Sequence, residues 1–189
     1  MINIDGFNIT AQIGRGTNGT VYKAHDESGE LCAIKVLNQT NEFCQQRFQN
    51  ESYIMNQLNH KGIIQSKGTG TNSDGLQIMV MEYFEGLNFR TYMENHSSSK
   101  LKNKVQIITK IAEAIGAVHS SGYVHRDIKP SNILINPETC EVKITDFGIV
   151  YIPESTLTQP IHIVGTPCYL SPEGFDSCKV TPAADVYSL

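Results

Sequence analysis

The chain has 189 residues, 40% of them apolar and 18% charged, with a formal net charge of −4. That length and apolar content give one domain or one compact two-lobed unit with a buried core, and exclude a disordered chain. The balance of 15 Lys plus Arg against 19 Asp plus Glu leaves no basic footprint for nucleic acid or anionic lipid, so any anionic ligand must be held locally. Cys32, Cys44, Cys140, Cys168 and Cys178 form no CxxC pair and are odd in number, which argues against a disulfide framework and a zinc site. With no basic and apolar leader and no apolar run of about 18 residues, the chain reads as cytosolic. The Asn-x-Ser/Thr triplets at Asn8, Asn18, Asn38 and Asn95 then carry no meaning.

In chain order, Phe7 to Ile13, Thr20 to Ala24, Leu31 to Leu37, Ile63 to Gly68 and Gln77 to Glu82 read as strands between Gly/Asn/Asp/Ser turns, and their spacing predicts an antiparallel meander. The stretch Phe43 to Asn59 contains neither Gly nor Pro and places Phe48, Met55 and Leu58 at helical spacing, so one helix interrupts the strands. Helical periodicity resumes from Leu87 to His119. The strongest helix is Lys100 to Ser121, with Leu101, Val105, Ile108, Ala112, Ile115 and Val118 as its apolar stripe and Gly122 as its stop. Tyr123-Val124, Ile133 to Ile135 and Val142 to Ile144 read as short strands, and Ser97-Ser98-Ser99 as a loop. The turns between those strands hold His125, Asp127 and Asn132, and polar turns of this kind are where chemistry tends to sit.

The first chemical signal is Ile13-Gly14-Arg15-Gly16-Thr17-Asn18-Gly19-Thr20-Val21, whose glycines allow backbone N–H groups to approach phosphate oxygens. A dinucleotide-binding unit would need a helix after this loop, whereas Thr20 to Ala24 is strand-like, and no GxxxxGK[ST] loop is present. Lys35 lies in an apolar strand, where an isolated lysine ordinarily snorkels to solvent. Glu51, on the core side of the first helix, needs a cation, and Lys35 is the candidate.

The segments Tyr123-Val-His125-Arg126-Asp127-Ile-Lys129-Pro130-Ser131-Asn132-Ile-Leu134, Ile144-Thr145-Asp146-Phe147-Gly148 and Gly165-Thr166-Pro167-Cys168-Tyr169-Leu170-Ser171-Pro172-Glu173 follow in order. With them the whole chain resembles the eukaryotic-type (Hanks-type) Ser/Thr protein kinases. The resemblance implies a bilobal α+β fold, with a β-rich N-lobe carrying one helix over residues 1–83 and part of a helical C-lobe over 84–189. It implies an enzyme that passes the ATP γ-phosphate to protein Ser/Thr hydroxyls, with ATP and Mg²⁺ as its small-molecule requirements and protein substrates as its partners. By the same resemblance Gly14, Gly16 and Gly19 cover the phosphates, Lys35 holds the α and β phosphates, and Glu51 orients Lys35. Asn132 and Asp146 ligate Mg²⁺, Asp127 takes or orients the substrate proton, and Lys129 neutralises the γ-phosphate. Ile13, Val21, Ala33 and Leu134 enclose the adenine, Met81 stands as gatekeeper, and the Glu82 carbonyl and Phe84 N–H read the adenine edge. Any one of these apolar residues alone would ordinarily be core packing.

The resemblance also implies activation by phosphorylation, with Arg126 meeting a phosphorylated loop. The hydroxyls between Gly148 and Ser171 are Tyr151, Ser155, Thr156, Thr158, Thr166 and Tyr169; the usual site, four residues before Thr166, is His162 here, which points to Ser155, Thr156 or Thr158 instead. Thr166 is expected to bond Asp127 and Lys129. Ser171-Pro172-Glu173 replaces Ala-Pro-Glu, and Ser66 occupies an ordinarily apolar position in a spine with Met55, His125 and Phe147, where a hydroxyl needs a partner. Cys168 reads as an inert small residue rather than a redox-sensitive thiol. Asp185 to Leu189 matches the first turn of the long buried helix of the family's lower lobe, and Glu173 lacks the arginine that family members supply from a later helix, so the 189 residues alone are expected to be marginally stable or inactive. A pseudokinase scaffold would be expected to lack Lys35, Asp127, Asn132 or Asp146, and all are present. A small-molecule phosphotransferase is disfavoured by Lys129 and the segment from Gly165 to Glu173.

Overall fold

The computed structural model describes residues 4–16, 19–38, 42–96, 100–148, 166–175 and 180–189. Two compact units result: Met1–Gln57 with Ile64–Phe84, and Leu58–Ile63 with Glu85–Leu189.

The first unit is a sheet with one helix. Its strands are β1 (Phe7–Arg15), β2 (Gly19–Asp26), β3 (Leu31–Leu37), β4 (Ser66–Thr71) and β5 (Gln77–Glu82), and helix α1 spans Glu42–Gln57 between β3 and β4. All pairings are antiparallel, but the order is β1-β2-β3-β5-β4 and not the simple meander the spacing predicted. The composition of the two last strands accounts for this. Gln-Ile-Met-Val-Met-Glu can be buried on both faces and takes the place beside β3, whereas Ser-Lys-Gly-Thr-Gly-Thr is polar and glycine-rich and suits an edge. The strand predicted from Ile63 also begins later, at Ser66. Ile63 instead makes a parallel bridge with Ile144 inside the second unit.

Alternation along the strands divides this sheet into two chemically different faces. Tyr22, Ala24, Cys32, Ile34, Val36, Ile78 and Val80 pack with Ile4, Phe7, Ile9 and Leu76 into an apolar core. The opposite face carries Val21, Lys35 and Met79 in one register row, and Lys23, Ala33 and Met81 in the next. Candidate site residues therefore share a face for the same geometric reason that the core residues do.

The second unit contains β6 (Leu87–Asn88), α2 (Phe89–Asn95), α3 (Leu101–Ser120), β7 (Ile133–Ile135), β8 (Val142–Ile144) and α4 (Pro182–Ser188). Asn88 caps α2, its side chain accepting the Thr91 N–H at 2.9 Å. Helix α3 ends where Gly122 adopts φ +82°, with the Tyr123 N–H turning back to the Val118 carbonyl. Its buried face is Ile107, Ile111, Ala114, Ile115 and Val118. This corrects the predicted stripe: Leu101, Val105 and Ile108 are exposed, at 76%, 57% and 42%. The helix is apolar on more than one side, so periodicity alone offered two faces, and packing against β8 selected one. Strands β6, β7 and β8 form an antiparallel sheet in that order. The predicted Tyr123-Val124 strand does not form; Val124 packs with Val180 and Ala184 instead.

Candidate active site

Within the first unit the structure brings Lys35 and Glu51 together. Lys35 comes from the middle of β3 and Glu51 from α1, and the ammonium donates to both carboxylate oxygens at 2.7 and 2.8 Å. Both are buried, at 7% and 2% exposure, so each charge compensates the other away from water.

The glycine loop is built by β1 and β2. Gly14 pairs with Val21, and the Gly16 N–H bonds the Gly19 carbonyl at 2.9 Å; Thr17 and Asn18 lie outside the described residues. A Cβ on Gly19 would stand 2.7 Å from the Val36 carbonyl oxygen, so the sheet itself demands glycine there. Gly14 and Gly16 differ, since a Cβ would meet nothing closer than 3.6 Å at the former and 4.0 Å at the latter. Asn38 pins this region by accepting from the Thr20 hydroxyl at 2.9 Å and donating to the Gly16 carbonyl at 3.2 Å. Its sequence shows only a polar residue after a strand, so that role becomes visible only in three dimensions. Ile13 is half exposed, Ala33 and Met81 are buried opposite each other, and Phe84 is half-buried at the end of the unit. Glu82 is held by Gln65, donating its N–H to the Gln65 carbonyl and accepting the Gln65 N–H on its carboxylate at 2.8 Å.

In the second unit, Asp127, Lys129, Asn132 and Thr166 converge. Lys129 Nζ donates to Asp127 Oδ2 at 2.6 Å and to the Thr166 hydroxyl at 2.8 Å, and that hydroxyl donates to Asp127 Oδ1 at 3.0 Å. Thr166 thus takes the structural part expected of it. A 3-10 turn over Pro130–Asn132 buries Asn132, whose amide Nδ2 donates to the Asp127 carbonyl and to its Oδ2, each at 3.0 Å. That leaves Oδ1 of Asn132 accepting from the Ser131 hydroxyl at 3.2 Å, an oxygen with a lone pair to spare. Leu134 is half-buried on β7, opposite Lys143 of β8 and Asn88 of β6. Asp146 follows β8 at φ +70°.

The residue that sequence reasoning passed over is Asp185. Fully buried in the first turn of α4, it accepts the His125 N–H and the Arg126 N–H, one on each oxygen, both at 2.8 Å. His119 Nε2 adds a third donor at 2.8 Å. Arg126 sits at φ +68°, a left-handed conformation that costs a non-glycine residue about 1–3 kcal/mol. The anchored amides hold it there, directly before Asp127. Burial lowers the pKa of His125 below its ordinary value, opposed by the charges of Asp185, Asp127 and Asp146. The neutral ring is well served: Nδ1 accepts the Asp127 N–H and Nε2 donates to the Thr145 carbonyl, both at 3.3 Å, while the ring packs on Phe147. Asp185 lies 60 positions after His125, and nothing in the sequence between them advertises this contact.

Among the described residues no cluster of three or more His, Cys, Asp or Glu side chains could hold a metal. The pair Asn132 and Asp146 fits a hard cation that takes amide and carboxylate oxygens and completes its shell from phosphate and water. The expected phosphorylation sites Tyr151, Ser155, Thr156 and Thr158, with His162, Gly165 and Cys178, lie outside the described residues, as do Ser97 to Ser99. Ser66 Oγ is buried with no hydrogen-bond partner among the described residues.

A five-stranded antiparallel sheet crossed by a buried Lys–Glu pair, and a second unit with an Asp–Lys–Asn–Thr cluster on its turns, define an α+β protein kinase fold. The chain belongs to the protein kinase domain family, whose model matches residues 7–189. It is 34% identical over 191 residues to the probable serine/threonine-protein kinase PknB of Lactococcus lactis, covering 98% of this chain and 30% of that protein. It is also 34% identical to the probable serine/threonine-protein kinase pknA2 of Bifidobacterium longum, covering 97% of this chain and 25% of the relative. Against serine/threonine-protein kinase PrkC of Bacillus subtilis the identity is 34%, over 97% and 29% of the respective lengths. The chain therefore spans less than a third of the length of these curated relatives. No helix among the described residues is long and apolar enough to cross a membrane.

Proposed function

We propose that this chain is the catalytic part of a Mg²⁺/ATP-dependent protein Ser/Thr kinase. The observation that carries the reading is the convergence of Lys129, Asn132 and Thr166 on the Asp127 carboxylate. Phosphoryl transfer calls for fixed positive groups around the γ-phosphate and an acceptor for the departing hydroxyl proton. Asp127 orients the serine or threonine hydroxyl and receives its proton, and Lys129 carries the neighbouring positive charge. Thr166 and Asn132 hold the carboxylate in one rotamer, so little reorganisation remains at the moment of transfer.

Lys35, aimed by Glu51, binds the α and β phosphates. Gly14 and Gly16 have room for a side chain that they do not carry, which favours a loop kept bare for phosphate oxygens. Ile13, Val21, Ala33, Met81 and Leu134 supply the apolar walls for adenine, and the Glu82 carbonyl and Phe84 N–H its edge contacts. Asn132 and Asp146 hold Mg²⁺, which when bound neutralises phosphate charge. On this reading the domain works in the cytoplasm, where ATP and protein substrates are at hand, and phosphorylation near Ser155, Thr156 or Thr158 regulates it.

The test is transfer of labelled γ-phosphate from Mg-ATP to the longest native chain and to a generic basic protein, beside an Asp146→Asn control. Label on serine or threonine, absent from the control, is the expected result. Saturable ATP binding with no label under any activating condition refutes the transfer reading.

A further inference from the structure

Lys23 has no part in the roles assigned so far, yet it stands on the nucleotide side of the sheet. It pairs with Ala33, which pairs with Met81, and directly opposed residues share a face. It also lies two residues beyond Val21, again on the same side of β2. Its ammonium does not go to a carboxylate among the described residues. It lies over the ring of Tyr83, 4.4 Å from the centroid, with both residues half-buried. Tyr83 sits between Glu82 and Phe84, the residues proposed to read the adenine edge. The backbone of Lys23 is itself held, its carbonyl accepting the Thr10 hydroxyl at 3.1 Å.

We infer that Lys23 is a positioning residue for the nucleotide, its cation–π contact with Tyr83 setting the spacing between the Val21 roof and the Glu82–Phe84 edge. The inference rests on the nucleotide-site reading above. A cation over an aromatic face is attracted by the ring quadrupole, and the attraction grows as water is excluded. The contact links the middle of β2 directly to the segment after β5, in addition to the ladder through β3. A pocket held at its working width before adenine enters spends less of the binding energy on ordering.

The experiment is titration of the longest native chain with Mg-ATP, together with steady-state kinetics, for Lys23→Met, Tyr83→Leu, Tyr83→Phe and the double variant Lys23→Met/Tyr83→Leu. Lys23→Met and Tyr83→Leu should each weaken ATP binding by about fivefold, which is about 1 kcal/mol at 1.4 kcal/mol per decade. Turnover at saturating ATP should stay within about twofold. Tyr83→Phe keeps the ring and should bind like the parent, and the double variant should be no weaker than either single change. Singles within twofold of the parent, additive losses, or a fall in turnover instead of affinity would overturn the inference while leaving the ATP site standing. A parent chain that does not bind ATP saturably would overturn the site reading itself, and the inference with it.

Discussion

The pair formed by Lys35 and Glu51 separates stability from activity in a way that can be measured. Lys35 is 7% exposed and Glu51 2%, and the ammonium reaches both oxygens within 2.8 Å. Converting Glu51 to Gln removes the carboxylate charge that the buried Lys35 ammonium reaches on both oxygens, and breaking a buried pair this way costs about 3–5 kcal/mol. That is a large share of the roughly 5–15 kcal/mol by which a domain is stable. Lys35→Met removes the ammonium from a buried carboxylate, at a similar cost. The double change Lys35→Met/Glu51→Leu removes both charges together, and replacing a buried pair by apolar side chains of similar volume is commonly neutral, or stabilising by about 1–4 kcal/mol. The double variant should therefore be more stable than either single one, with a coupling of several kcal/mol in urea unfolding followed by circular dichroism. If the proposed function holds, all of these variants should lose ATP-dependent phosphoryl transfer, because the charge proposed to meet the phosphates is gone or misdirected. A Glu51→Gln cost below about 1 kcal/mol would mark the pair as solvated. A double variant less stable than both singles would refute the reasoning outright.

Four further outcomes are expected. Asp127→Asn should lower turnover by about 10²–10⁴-fold with the fold intact, the size of a lost proton acceptor; unchanged single-turnover rates would remove Asp127 from that role. Asp185→Ala strips the acceptor from the His125 and Arg126 amides and from His119. At about 1–3 kcal/mol for each donor that loses this buried acceptor it should destabilise the chain, whereas Asp185→Asn keeps one acceptor oxygen and should show only part of the loss, as thermal melts would register. His125 has a folded pKa below its unfolded value near 6.5. The unfolded chain thus binds the extra proton first, and the stability this residue contributes is complete above about pH 6.5 and declines as pH falls toward the folded pKa. The urea midpoint should drop across that window, and His125→Phe should remove that component; an equal drop in the variant would refute it. Ser66→Ala removes a buried hydroxyl that has no hydrogen-bond partner among the described residues. It should be neutral or stabilising by about 1 kcal/mol in the same assay, and a clear loss would reveal a bond that the geometry does not contain.

Much of the site was legible before any coordinates because its chemistry is concentrated in short segments. The cluster of Asp127, Lys129 and Asn132 spans six consecutive positions closed by one 3-10 turn, so spacing alone largely determines what those side chains can do together. Strands β3, β5, β7 and β8 were likewise bounded by local signals, because runs of β-branched and apolar residues between turn formers leave the backbone few alternatives. The pairing of Lys35 with Glu51 could be anticipated from the sequence, since a carboxylate on an apolar helix face and an ammonium in an apolar strand each require a partner.

Other features belonged to the tertiary structure alone. The order of β4 and β5 in the sheet, and the burial of Ile107 and Ile111 in place of Leu101 and Val105, depended on which surface met which. Both alternatives satisfy the local pattern equally well. Asn38, Lys23 and Asp185 act through partners 22, 60 and 60 residues away in the chain, at Gly16, Tyr83 and His125, and no local preference encodes such a contact. Composition and periodicity determine what each segment tends to become and which chemistries it can carry. Which charge meets which amide is decided only when packing makes distant positions neighbours, because the free energy of a buried polar contact exists only after water has been excluded from it.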